Sequence, residues 1–148
     1  MTLVDGYYLS QIILTGIVAL AAIGTSTQLQ TFKRFELMKY LEDPRIRKAR
    51  RLLFYRLRSP KEPPPARWWE SDEELEEAAA TVCSSYDIVG IMATGTNHKF
   101  FKKEWAYNIC WTYDALSEYL RERHQANQNL FHGYRELYDA AKPFASRN

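Results

Sequence analysis

The chain is expected to be all-α, an N-terminal transmembrane helix continuing into a small cytoplasmic helical bundle, and three observations carry that expectation. From Gly6 to Phe32 there is no charged residue, whereas all twenty Lys and Arg lie at Lys33 or beyond. In the remainder, apolar residues recur three and four positions apart, and no segment alternates with period two. Glycine is scarce, at 6 of 148 residues, and aromatics are plentiful, with four Trp and ten Tyr, a balance that favours packed helices over a glycine-rich phosphate-binding loop. These features divide the chain into an anchor, 1–32, and a bundle, 33–148, with a proline-rich connector at 59–70 inside the bundle.

The opening segment is long enough to span, since roughly 20 apolar residues cross about 30 Å of hydrocarbon. Its apolar body runs from Tyr7 to Ile23, with Ser10, Gln11 and Thr15 inside it and a polar stretch from Thr25 to Gln28 after it. Tyr7 and Tyr8 suit the headgroup level at one end. Lys33 and Arg34 supply the positive flank at the other, which puts the N-terminus outside and the bundle in the cytoplasm. A cleavable signal peptide calls for a basic start, and Met-Thr-Leu-Val-Asp has none. The competing reading is a buried helix of a soluble domain.

On a helical wheel Gln11, Thr15, Ala22 and Ser26 fall along one stripe, with Gly16, Ala19 and Gly24 adding small side chains. Between lipid tails an apolar side chain gains nothing by leaving one hydrocarbon for another, so small and hydrogen-bonding residues are what let helices associate. Gln11, Thr15, Gly16, Ala19, Ala22 and Ser26 are therefore the expected association face.

The helical pattern runs on through Leu29, Phe32, Phe35, Leu37, Met38 and Leu41 and stops at Glu42. Asp43 then caps a second helix, and Pro44 fits its first position. That helix, to about Arg58, turns Ile46, Ala49, Leu53 and Leu57 inward. Arg47, Lys48, Arg51 and Arg58 form the opposite arc, expected to meet an anionic headgroup or phosphate. The bland alternative pairs this arc with Glu70, Asp72, Glu73, Glu74, Glu76 and Glu77 across the next helix.

SPKEPPPAR, 59–67, reads as a stiff spacer, because proline removes amide donors and restricts the residue before it. One of Trp68 and Trp69 is expected to cover the end of the core. Ser71 and Glu74 read as a capping box for a third helix whose inward face is Leu75, Ala79, Val82, Tyr86, Val89 and Ala93. That helix is expected to end in ATGTN, at Gly95 or Asn97. A fourth helix, about Lys99 to Gln125, presents Phe101, Trp105, Ile109, Thr112, Leu116 and Leu120. A last one runs from Leu130 to Ala141 and is closed by Pro143.

No catalytic constellation emerges. Metal-free helical ribonucleases set an arginine about four to six residues before a histidine to place a general acid/base beside a phosphate-binding cation. None of His98, His124 and His132 has an arginine at that distance. Cys83 and Cys110, the only cysteines, lack metal spacing and read as small core residues in a reducing compartment. Asp87 reads as a hydrogen-bonded or ion-paired residue at a helix contact, with an arginine of the second helix as the candidate partner. No metal, cofactor or small-molecule substrate is expected. Bulk charge is only +2, too weak to announce a nucleic-acid binder.

DPRIRKARRLLFYRL, EEAAATVCSSYDIVGIM, WAYNICWTYDALSEYLRER and NLFHGYRELYDAA, following the anchor, give the chain a pattern that resembles an uncharacterised family of small bacterial single-pass membrane proteins with a cytoplasmic all-helical domain. The resemblance implies fold and topology and brings no catalytic residues; the long SPKEPPPARWW connector departs from it. The expected function is non-enzymatic assembly, with membrane lipid, with copies of itself as a homo-oligomer, or with other membrane subunits. By analogy of architecture, the alternative is a nucleic-acid-responsive antiviral effector, a pore or a nuclease accessory.

Overall fold

The structure, a computed structural model, describes residues 3–58, 64–93 and 103–145, with side chains from residue 13 in the first stretch and from 105 in the third. Among the described residues six α-helices and no strand are found. They are α1 (Leu3–Leu41), α2 (Pro44–Leu57), α3 (Glu73–Ala93), α4 (Lys103–Ala115), α5 (Ser117–Ala126) and α6 (His132–Ala145), with a 3-10 turn at Trp68–Glu70. The fold is all-α, as expected. The chain divides into two compact units, Met1–Met38 and Lys39–Asn148.

In the first unit α1 is a continuous helix, and from Ile13 to Phe35 its large apolar side chains face outward: Ile13, Leu14, Ile17, Val18, Leu20, Ile23, Leu29, Phe32 and Phe35 are all exposed, with burial beginning at Leu37. The stretch Ile13–Leu41, 29 residues, is long and apolar enough to cross a membrane, reaching about 43 Å at ~1.5 Å per residue. A core helix of a soluble domain buries such a face. The polar stretch is quieter than its sequence implies. Thr25, Thr27 and Thr31 donate their hydroxyls to the carbonyls of Ala21, Ile23 and Thr27 at 2.6, 2.9 and 2.9 Å. Each hydroxyl proton is thus satisfied inside its own helix, which lowers the desolvation cost of placing threonine in lipid.

The second unit is built around α3, which packs against α2 and α6, while α6 also packs against α4. Asp43 caps α2 as expected, its carboxylate accepting the Arg45 amide proton at 2.9 Å with Pro44 in the first turn. Ile46, Ala49 and Leu53 are buried; Leu57 is only half-buried. All six residues expected on the inward face of α3 are buried. Its cap differs: Asp72, not Ser71, accepts the Leu75 amide proton, at 3.0 Å. Ser71 is taken by the preceding turn, where both its amide and its hydroxyl donate to the Trp68 carbonyl. Trp68 is buried and stacks on Tyr119, covering the end of the core.

The single helix expected from Lys99 to Gln125 is two helices. Leu116, at φ −98 and ψ 11, lies near the bridge region, although the amides of Leu116 and Leu120 still bond four residues back. The bend lets Trp105, Ile109 and Thr112 stay buried on α4 while Tyr119 and Leu120 of α5 are buried too, Tyr119 against Trp68. Phe101, His98 and residues 94–97, where the third helix is expected to end, lie outside the described residues.

The last helix begins at His132 rather than Leu130, because Phe131 takes a left-handed conformation, φ 59. Pro143 does not close it. The helix continues to Ala145 with Pro143 exposed in the last turn, where a missing amide proton leaves one carbonyl to water.

Asp87 is at a helix contact, but its partner is not an arginine of α2. Its carboxylate accepts the Tyr134 amide proton at 3.1 Å, serving a free donor in the first turn of α6. One turn along, Gly90 meets Gly133 backbone to backbone: a Cβ on Gly90 would overlap the Gly133 carbonyl, and one on Gly133 would overlap the Asp87 carbonyl. Neither neighbour is the end of a flexible side chain, so relief requires moving a helix. Gly90→Ala is expected to destabilise the fold by about 3 kcal/mol or more, the upper range for overpacking. Thermal unfolding of the full chain in detergent, followed by circular dichroism against a Ser84→Ala control on the exposed face of α3, measures it.

Candidate anion-binding groove

Of the four cations expected on the outer arc of α2, the structure brings two together. Arg47 and Arg51, one turn apart, line a groove of about 560 Å³ with Arg50, Phe54 and Tyr55 of α2 and Asn108, Trp111 and Thr112 of α4. Lys48 is exposed and away from it, and Arg58 lies over the Phe54 ring at 4.8 Å. The facing acidic run takes little of this charge. Arg56 pairs with Asp72 at 3.2 Å, whereas Glu70 holds Arg67 at 2.6 Å and Glu76 holds Arg123 at 2.8 Å. Among the described residues Arg47 and Arg51 form no ion pair.

Arg50 has a different job. It reaches inward, donating to the Leu41 carbonyl at 2.9 Å, pairing with Glu42 at 3.5 Å and lying over the Trp105 ring at 4.7 Å. It therefore closes the C-terminal end of α1 and fixes the neighbouring helix ends, a role its place in a dense basic run conceals. Behind it the Tyr86 hydroxyl is buried beside Arg50 and Thr112, with no partner at hydrogen-bond geometry. Burial raises that phenol above its ordinary value, and Arg50 pulls the other way.

The floor between α2 and α4 is aromatic. Phe54 and Trp111 stand 5.3 Å apart at 53°, and Tyr55, next in the row after Arg47 and Arg51, is 76% exposed. Thr112 spends its proton on the Asn108 carbonyl at 2.7 Å, leaving its oxygen as an acceptor, and the Asn108 side chain is exposed. The residues that complete the groove were readable only in part: Arg47, Arg51 and Tyr55 recur every four positions, but nothing in the sequence opposes them to Asn108 and Trp111.

In α1, Gly16, Ala19, Ala22 and Ser26 are exposed, and a Cβ on Gly16 would meet open space. Thr15 is exposed as well; the Gln11 side chain lies outside the described ones. Among the described residues no three His, Cys, Asp or Glu side chains gather as a metal site does. His132 pairs with Glu136 at 3.1 Å, and His124 has a buried Nε2 without a hydrogen-bond partner.

Cys83 and Cys110 are free and buried. Burial, then the charge of Asp114, pushes the Cys110 thiol from 9.0 to about 11, and burial pushes Cys83 further in the same direction. A raised thiol value favours the fold below the unfolded value, and the contribution fades as pH climbs through the folded one. Native protein at pH 8 is thus expected to resist iodoacetamide at both cysteines, with both modified in urea; mass spectrometry reads the difference, and alkylation of Cys110 in native protein is expected only as pH approaches 11.

Compared with models of known families, with characterised proteins and with solved structures, the chain matches none.

Proposed function

We propose that the chain is a non-enzymatic, single-pass membrane protein that works by assembly, as a homo-oligomer or as an accessory subunit of a larger membrane complex. The observation that supports this reading is α1: a helix of spanning length whose large apolar side chains from Ile13 to Phe35 face outward and whose Thr25, Thr27 and Thr31 hydroxyls are satisfied within it. Such a surface is stable where hydrocarbon or another helix covers it. Lys33, Arg34 and Lys39 favour a cytoplasmic bundle and an outside N-terminus in a bacterial inner membrane, the arrangement that the resembled family implies.

Assembly through the span draws on Thr15, Gly16, Ala19, Ala22 and Ser26. Small side chains permit close backbone approach, and hydroxyls supply interhelical hydrogen bonds, worth about 1 kcal/mol each in hydrocarbon. The full chain is expected in the membrane fraction, resistant to alkaline extraction. Replacing Gly16, Ala19 and Ala22 together with Leu is expected to leave insertion intact and to abolish the crosslinked species seen in detergent. Recovery in the soluble fraction removes the membrane reading; unchanged crosslinking removes the association face alone.

A further inference from the structure

The groove between α2 and α4 combines features that one patch of surface charge does not need. Arg47 and Arg51 face the same space without an internal counter-ion among the described residues, and no acidic side chain lines it. Two like charges on one wall repel, and a bound anion relieves that repulsion while accepting charge-assisted hydrogen bonds from both guanidinium groups. The opposite wall offers the half-buried Trp111 indole, tilted against Phe54, with exposed Tyr55 at the rim. Between them lie polar groups able to read an edge, the exposed Asn108 amide and the Thr112 oxygen.

We propose that this groove binds a nucleoside phosphate, with the phosphates held by Arg47 and Arg51, the base laid against Trp111, and Asn108 facing the base edge. Three observations favour this ligand over its neighbours in chemistry. A bare phosphate leaves the aromatic wall unused. A phospholipid headgroup brings the anion without a planar ring. A nucleic-acid strand needs a track of cations, whereas the two cations without an ion pair in the groove, Arg47 and Arg51, lie one turn apart on α2. The inference is independent of assembly through α1, because every lining residue belongs to the second unit.

The test is titration calorimetry on the full chain in detergent, with ATP, adenosine, inorganic tripolyphosphate, a short single-stranded RNA and phosphatidylglycerol vesicles as separate probes. ATP is expected to bind saturably at one site, with adenosine and tripolyphosphate each at least about tenfold weaker, since each forfeits one wall. Arg47→Gln with Arg51→Gln is expected to weaken ATP by at least about tenfold; both side chains are exposed, so an unchanged melting temperature separates lost binding from lost fold. Trp111→Ala is expected to weaken ATP and leave tripolyphosphate unchanged, and Trp111→Phe to restore part of the loss. Tripolyphosphate binding as tightly as ATP overturns the proposal in favour of a plain anion patch. So does RNA binding, through Arg47 and Arg51, that is tighter than ATP and steep in salt, or vesicle binding lost in the arginine variant while ATP does not bind.

Discussion

Two glycines on different helices, Gly90 and Gly133, bring the backbones of α3 and α6 within touching distance, and the Asp87 carboxylate beside them accepts the Tyr134 amide proton. The rest of the second unit depends on that crossing. Because α2 packs on α3 and α4 packs on α6, the separation of α3 from α6 sets how far apart α2 and α4 can stand. They meet through side chains, the Phe54–Trp111 ring pair and Arg50 over the Trp105 ring, and the space left above the ring pair is the groove. A side chain of any size at Gly90 displaces helix axes, so its effect reaches a surface on which Gly90 itself has no place.

The crossing also explains the demand for tyrosine. Tyr134, one residue after Gly133, is fully buried, 5.0 Å from the Tyr86 ring and 5.0 Å from Tyr113, which stacks on Tyr138 at 4.2 Å. Where backbones come this close, flat rings fill the wedge-shaped spaces that open on either side. Tyr134 finds a partner for its hydroxyl in the Ile109 carbonyl, at 3.4 Å, and Tyr138 in Asp114, at 2.9 Å. Tyr86 places its hydroxyl beside Arg50 and Thr112.

Elements whose cause is local were legible in the sequence. The four-and-three spacing of α3 named its buried face correctly, and Asp43–Pro44 marked the start of α2, because a cap and a helical stripe are decided by residues within a turn of one another. Elements whose cause is tertiary were not. Leu116 bends the chain because Tyr119 has Trp68 to reach; Asp72 displaces Ser71 as the cap because Trp68 has already claimed the serine. Asp87 was recognisable as a contact residue, but its partner is a backbone amide 47 positions away, and no pattern announces an amide. The candidate groove was half legible for the same reason: Arg47 and Arg51 mark one wall in the sequence of α2, while the wall that gives them a use belongs to α4.

Phe131, between α5 and α6, is buried and yet sits at φ 59, a backbone state that disfavours a bulky side chain by about 1–3 kcal/mol. The two demands at this position conflict. Glycine would relax the backbone and empty the pocket; any aliphatic residue would keep the pocket filled and retain the strain. The link is therefore locally frustrated in a way that no single substitution resolves, and what holds it there is the first turn of α6, where Gly133 and Tyr134 are buried and the Asp87 carboxylate accepts the Tyr134 amide proton.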